Sequence, residues 1–147
     1  MWAGEKGSAT EQHQHTEVLR RDTREVARAR RVVTGLLTDW GLPEEVPPFE
    51  LAVSELVSNA LLHGSGEIQV DLRCEDDGRV RLAVGDEGRG AAPVPRVDER
   101  RIGGWGLRFV EQLAESWGSE RHEWGTLVWM VKRAALGSGK GGGALAW

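Results

Sequence analysis

The amino-acid sequence predicts an α+β fold from three observations: two amphipathic helical patterns, two pairs of strand-like segments, and a third helical pattern between those pairs. Adjacent antiparallel pairs with helices between them are typical of an α+β sandwich, and the regular βαβ repeat of a doubly wound fold is absent. A chain of 147 residues is the size of one domain. We expect residues 1–15 and the glycine-rich residues 135–147 to be disordered, which leaves 16–134 as the folded domain.

The first two helices are predicted from apolar residues that recur three and four positions apart. The first begins near Glu17 and ends at Gly41, and its apolar positions are Val26, Ala29, Val33, Leu36, Leu37 and Trp40. The second opens at Pro47 and Pro48, where a missing N–H does no harm, and ends at the glycines of 64–66. Its apolar positions are Phe49, Ala52, Val53, Leu56 and Ala60.

The strands are predicted from alternation of apolar and polar residues and from turn signals between them. Asp77 and Gly78 form a strong hairpin signal between the first two strands. A third helix is expected over about 105–115, after a loop rich in glycine and proline. The four predicted strands are 68–74, 80–84, 117–122 and 126–132.

Composition narrows the classes of partner. The formal net charge is −4 and the isoelectric point is about 5.6, whereas proteins that bind phosphate backbones are usually basic, so no direct nucleic-acid partner is expected. One thiol, Cys74, cannot form an internal disulfide. No run of residues is apolar enough to cross a membrane, and residues 1–10 lack the apolar core of a signal peptide. These features favour a reducing, cytoplasmic setting without membrane contact.

A polar line on the second helix is the first pattern that suggests chemistry. Glu55, Asn59 and His63 follow one another at steps of four, so they share one face of a mainly apolar helix. A carboxylate and an amide oxygen one turn apart suit Mg²⁺, which takes few protein ligands. The alternative is an ordinary solvated polar face. We interpret His63 as a residue that packs or caps at the helix end.

A second pattern begins at Asp86, directly after a predicted strand. Gly88 and Gly90 follow it and let the backbone approach a ligand closely. A carboxylate in this position can accept a hydrogen bond from the exocyclic amine of a purine. The alternative is a plain turn, because aspartate and glycine are common turn residues.

A third pattern is the glycine loop that we expect to precede the third helix. Glycines feeding a helix N-terminus present free N–H groups and a positive dipole end, which together can cradle phosphate. The loop is neither a Walker A loop nor a dinucleotide-binding fingerprint, and the alternative is a flexible connection. Its residues are Gly103, Gly104, Trp105, Gly106 and Leu107.

Taken together, the order and spacing of these patterns, with Gly125 and Thr126 opening the last strand, resemble the Bergerat ATP-binding family of gyrase, histidine kinases and mismatch-repair ATPases. The stretch 50–64, ELAVSELVSNALLHG, most resembles the branch of anti-sigma-factor serine/threonine kinases. The resemblance spans about Val18 to Lys132. It implies a two-layer sandwich in which a mixed, mostly antiparallel sheet is covered on one face by about three helices.

The resemblance also implies roles for individual residues. Asn59 would coordinate the Mg²⁺ that bridges the ATP phosphates, Glu55 would act as general base, and Asp86 would accept a hydrogen bond from the adenine amine. Residues 91–102 would form a lid over the nucleotide. The remaining residues implied to lie against ATP are Gly88, Gly90, Gly103, Gly104, Trp105, Gly106, Leu107 and Thr126. One departure is Leu62, where histidine kinases often have a basic residue.

For function, the resemblance implies a serine/threonine kinase that transfers the ATP γ-phosphate to a small anti-sigma antagonist protein. A sigma factor would bind the same molecule as a second partner. Members of this branch often pair, so a homodimer is an expected state. Two alternatives stay open at this point: an ATP-dependent binding regulator without kinase activity, and a slow stand-alone ATPase.

Overall fold

The structure, a computed structural model, describes residues 13–88 and 102–135, with only the backbone described over 102–107. A short 3-10 turn, Pro43–Glu45, joins the first two helices. None of the described helices is long and apolar enough to cross a membrane. The elements in chain order are β1 (His13–Leu19), α1 (Arg24–Asp39), α2 (Val46–His63), β2 (Ile68–Cys74), β3 (Arg79–Asp86), α3 (Ile102–Leu113), β4 (Ser116–His122) and β5 (Gly125–Arg133).

The strands form one five-stranded sheet in the order β1-β2-β3-β5-β4, and each neighbouring pair is antiparallel. The predicted α+β sandwich is therefore confirmed, although the described strands contain none of the parallel pairing that a mixed sheet would include. The hairpin predicted at Asp77 and Gly78 joins β2 to β3, and Gly78 has the positive φ of 91° that suits glycine.

A single apolar cluster holds the helices against the sheet. Alternate residues of β2, β3 and β5 join residues from all three helices in this cluster, as the period of two in strands requires. Helix α2 lies at its centre, with contacts to α1, α3, β2 and β3. The fully or nearly fully buried apolar residues of α2 are Phe49, Ala52, Val53, Leu56, Val57 and Ala60.

Helix α1 ends where the sequence predicts. Gly41 has a φ of 79°, a left-handed conformation that glycine adopts readily. The N–H of Leu42 donates to the carbonyl of Leu37 at 2.8 Å, and the N–H of Gly41 donates to the carbonyl of Thr38 at 3.1 Å. This pattern satisfies the last carbonyls of the helix and turns the chain toward α2.

The N-terminal end differs from the prediction. A helix was expected from about Glu17 and disorder over residues 1–15, but His13–Leu19 is strand β1, paired with β2 at the edge of the sheet. Leu19 is the only buried residue of this strand, so the sequence carries no apolar alternation that would signal it. Helix α1 starts later, at Arg24, whose N–H donates a hydrogen bond to the Asp22 carboxylate at 2.8 Å. Residues 1–12 and 136–147 lie outside the described residues.

One buried charge ties the helical layer to the last strand. Glu45, 1% exposed, accepts a hydrogen bond from the Lys132 ammonium at 2.7 Å and another from the Ala135 N–H at 2.7 Å. A buried carboxylate is tolerated when its oxygens are paired in this way. Glu45 therefore connects the turn before α2 with the end of β5.

We expect Glu45→Ala to destabilise the fold by about 2–4 kcal/mol, because it removes the carboxylate to which the partly buried Lys132 ammonium and the Ala135 N–H donate. Urea unfolding followed by circular dichroism measures this change. Glu44→Ala is the matched control, since Glu44 lies in the same turn and is exposed; its effect should stay within about 0.5 kcal/mol. Equal unfolding midpoints for the two variants would contradict the assigned role of Glu45.

Candidate functional site

Two residues of the polar line on α2, Glu55 and Asn59, are partly or fully buried. Asn59 is 5% exposed, and its Nδ2 atom is buried and donates no hydrogen bond to any described residue. Glu55, one turn earlier, is half-buried, and its Oε2 atom is likewise buried and without a partner among the described residues. Burial raises the pKa of Glu55 to about 7. Buried polar groups without partners are unusual, and these two are available to a ligand.

Asp86 ends β3 and is set firmly in place. It is 9% exposed, and its Oδ1 atom accepts hydrogen bonds from the Gly88 N–H at 2.6 Å and from the Ser65 N–H at 3.3 Å. The backbone of Gly64 lies so close to this carboxylate that a Cβ atom there would overlap it. The Oδ2 atom accepts none of the hydrogen bonds found among the described residues, so one face of the carboxylate remains free for a donor.

The start of β5 holds the other side of this segment. The register of β3 and β5 places Thr126 directly opposite Asp86. The Thr126 hydroxyl donates to the carbonyl of Gly88 at 3.0 Å. Gly125 has a φ of 151°, and a side chain there would overlap the Asp86 carbonyl. Strand register and two glycines thus fix residues 86–88 between α2 and β5.

These groups meet in one narrow cleft. Its lining combines apolar side chains with four polar ones, which belong to Asn59, His63, Asp86 and Thr126. In this state it encloses only about 20 Å³, room for little more than one water molecule, so a larger ligand requires it to widen. A flat ligand with a donor on its edge matches this lining. The lining residues are Leu56, Asn59, Ala60, His63, Gly64, Val84, Asp86, Gly88, Thr126 and Val128.

A second and larger cleft, of about 860 Å³, lies between the β1–α1 turn and residues 66–67. Its lining is strongly charged, but two of its arginines are already paired with carboxylates. Arg28 bonds Glu25 at 2.9 Å, and Arg24 bonds Asp22 at 2.7 Å. Size alone does not make a site. The smaller cleft is lined by Asn59, whose buried amide nitrogen has no partner among the described residues, and we therefore take it as the candidate site.

A family model for the histidine kinase-like ATPase domain matches residues 19–132. The chain belongs to this family. The match runs from before α1 to the last residue but one of β5, and so includes both Glu55 and Asn59 on α2 and Asp86 at the end of β3. The patterns that the sequence analysis singled out between Glu55 and Thr126 therefore lie within the matched part of the chain.

Relatives narrow the comparison. The ATPase domain is 29% identical over 107 residues to the anti-sigma F factor of Heyndrickxia coagulans, a match that covers 63% of this chain and 73% of that protein. A crystal structure of the RsbU and RsbW domains of Rv1364c from Mycobacterium tuberculosis aligns with a TM-score of 0.64 at 24% identity, over 82% of this chain and 32% of that one. The histidine kinase domain of the Erythrobacter litoralis EL346 blue-light activated histidine kinase aligns with a TM-score of 0.53 at 21% identity. This alignment covers 76% of this chain and 60% of that one. At these identities the two structures show a shared fold.

The structure brings four of the predicted site residues into one cleft: Asn59, Asp86, Gly88 and Thr126. Glu55 lies one turn before Asn59 on α2, and it is not among the residues that line this cleft. Gly90 and residues 91–101 of the predicted lid lie outside the described residues.

The glycine segment sits differently from the prediction. Residues 103–107 were expected to form a glycine loop that leads into a helix beginning near Trp105. In the structure, α3 already begins at Ile102. Packing of α3 against α2 outweighs the low helix propensity of the glycines. These residues therefore lie in the first turns of α3, where the first backbone N–H groups have no partner within the helix.

Sequence analysis missed the loop after α2 as part of the site. It treated Gly64, Ser65 and Gly66 only as a helix end, but Gly64 and Ser65 contact the Asp86 carboxylate. Two glycines around one serine, directly after the polar line of α2, were the available signal. The pattern could not show which residue the loop would meet.

The raised pKa of Glu55 predicts a specific pH dependence. Between its ordinary pKa of 4.5 and about 7, the folded protein keeps the proton that the unfolded chain releases, so the free energy of unfolding falls as pH rises through this window. Glu55→Gln removes this pH dependence. When the pH is raised from about 5 to about 8, the free energy of unfolding of the variant should therefore rise by on the order of 1 kcal/mol relative to that of wild type. Urea unfolding at both pH values measures the gain. The exposed Glu111→Gln is the control, and a gain no larger than that of this control would contradict the assignment.

Proposed function

We propose that the protein is an ATP-binding regulator of the anti-sigma kind, which transfers the γ-phosphate of Mg·ATP to a serine or threonine hydroxyl of a small antagonist protein. The observation that carries the proposal is the meeting of the Asp86 carboxylate and the Asn59 amide in one apolar cleft of a histidine kinase-like ATPase domain. The similarity to an anti-sigma F factor supports the regulatory setting, with a sigma factor as the second partner.

The apolar lining of the cleft suits the adenine base. Apolar side chains of Leu56, Val84 and Val128 line it and match the flat faces of a purine. Asp86 Oδ2 can accept a hydrogen bond from the exocyclic amine of adenine. An ionised carboxylate is a strong acceptor and has no proton to donate. A guanine would present a carbonyl oxygen at that edge and would be repelled.

Asn59 suits the metal and phosphate end. Its buried amide has a nitrogen without a partner among the described residues, and rotation of the amide by half a turn presents its oxygen instead. Mg²⁺ binds few protein oxygens and keeps several waters, so one amide oxygen together with phosphate oxygens is a suitable set. The backbone N–H groups in the first turn of α3 would meet the remaining phosphate charge.

Glu55 is suited to proton transfer. When bound, Mg·ATP supplies an electrophilic γ-phosphoryl group and a good leaving group in ADP. Glu55 would accept the proton of the partner's hydroxyl as that oxygen bonds to phosphorus. A general base works best when its pKa lies near the working pH, and burial raises the pKa of Glu55 to about 7.

We expect Mg·ATP binding to weaken about ten-fold to a hundred-fold in Asn59→Ala and in Asp86→Asn, because each removes a polar group aimed at the ligand. Isothermal titration calorimetry with and without Mg²⁺ measures this. The effect of Asn59→Ala should shrink when Mg²⁺ is withheld, whereas the effect of Asp86→Asn should persist.

Matched controls come from the same elements. Ser58→Ala changes the neighbour of Asn59, and Asp77→Asn changes an exposed carboxylate in the β2–β3 turn. Neither should change the affinity by more than about two-fold. Wild-type binding that neither Asn59→Ala nor Asp86→Asn weakens would place the nucleotide elsewhere and contradict the site.

We expect Glu55→Gln to slow transfer of radiolabelled γ-phosphate to an antagonist protein by about a hundred-fold or more, while the ATP affinity changes little, since only the proton acceptor is lost. Autoradiography of the partner measures the rate. Undiminished transfer in Glu55→Gln would remove Glu55 as the base. Binding of ATP and of the partner without any phosphoprotein in wild type would instead identify an ATP-dependent binding regulator.

A further inference from the structure

An arginine outside the candidate cleft holds the loop that follows α2. Arg21 lies in the turn between β1 and α1, and its guanidinium donates four hydrogen bonds to backbone carbonyls. The last carbonyls of a helix have no partner within it, and a cation is favoured at this end of the helix dipole. Nη2 donates to the carbonyls of Ala60 at 2.9 Å, Leu61 at 2.7 Å and Gly64 at 3.2 Å, and Nη1 donates to that of Gly66 at 3.2 Å.

The opposite side of the same loop sets the position of Asp86. The Ser65 N–H donates to Asp86 Oδ1 at 3.3 Å, and the Glu87 N–H donates to the Ser65 carbonyl at 2.8 Å. Gly64 lies directly against the carboxylate, with no room for a Cβ atom between them. The place of the carboxylate therefore depends on the place of this loop, and the loop is fixed by Arg21.

We infer that Arg21 is a positioning residue for recognition of the adenine base, acting through the α2–β2 loop on Asp86. The inference rests on the proposed function for the identity of the ligand. Arg21 lines the larger cleft and is absent from the lining of the candidate site. Its loss therefore removes no ligand contact and instead frees the loop that orients the acceptor of the base.

A purely stabilising role for Arg21 would lower the unfolding midpoint without changing the choice of base, so base selectivity is the deciding measurement. The two probes are ATP and purine riboside triphosphate, which lacks the exocyclic amine. Wild type should prefer ATP by about ten-fold, since loss of the amine leaves the Asp86 carboxylate without its donor. In Arg21→Ala this preference should fall about five-fold, toward that of Asp86→Asn.

Arg20→Ala is the matched control. Its side chain takes part in none of the hydrogen bonds or ion pairs found among the described residues, and it is an exposed arginine beside Arg21. It should leave the preference unchanged. Arg21→Lys replaces Arg21→Ala in the experiment if Arg21→Ala does not fold. An ammonium lacks the planar fork of the guanidinium, so the preference of Arg21→Lys for ATP should lie between those of wild type and Asp86→Asn.

Amide hydrogen exchange without nucleotide gives a second readout that does not depend on ATP binding. The Ser65 and Glu87 amides should exchange faster in Arg21→Ala than in Arg20→Ala, because their hydrogen bonds depend on the loop. Unchanged exchange together with an unchanged base preference would overturn the inference. If wild type binds neither nucleotide, the proposed function fails, and exchange at these two amides alone decides whether Arg21 positions Asp86.

Discussion

Burial of α2 is the constraint on which the rest of the structure depends. The helix is surrounded by α1, α3 and the central strands, so one side-chain atom of Glu55 and one of Asn59 are buried without a partner among the described residues. That desolvation raises the pKa of Glu55 and leaves the Asn59 amide open to a ligand. The helix that contributes most to the apolar core therefore also carries two of the candidate site residues. The properties of those two residues depend on how the helix packs.

Much of the fold follows from local patterns. The apolar periods of α1 and α2, the Gly41 stop and the turn at Gly78 are signals within a few residues of one another, and the structure confirms them. Strand β1 shows the limit of this reasoning. Its first five residues, His13 to Glu17, are polar, and it exists because its backbone pairs with β2, more than fifty residues away by the register of His15 with Leu72. Only the partner strand makes that segment a strand.

The site was predictable in its residue types and less so in its geometry. Asp86 could be singled out because it ends a strand beside glycines, and Asn59 because it lies one helical turn after Glu55, whereas Thr126 was implied by the family resemblance. Their meeting depends on the β3–β5 register and on how closely Gly64 approaches Asp86, which are contacts between distant segments. The Arg21 contacts to the end of α2 are likewise long-range, and a run of surface arginines gave no reason to select this one.

Paramagnetic relaxation by Mn²⁺ tests most directly whether Asn59 faces the metal of a bound nucleotide. Mn²⁺ shares the oxygen ligands and octahedral preference of Mg²⁺, and it broadens nearby nuclear resonances. With ATP present, small amounts of Mn²⁺ should broaden the side-chain amide signal of Asn59 first. Signals of the larger cleft, such as the backbone amides of Asp22 and Glu25, should stay sharp. Broadening centred on those two residues, with the Asn59 amide unaffected, would contradict the site.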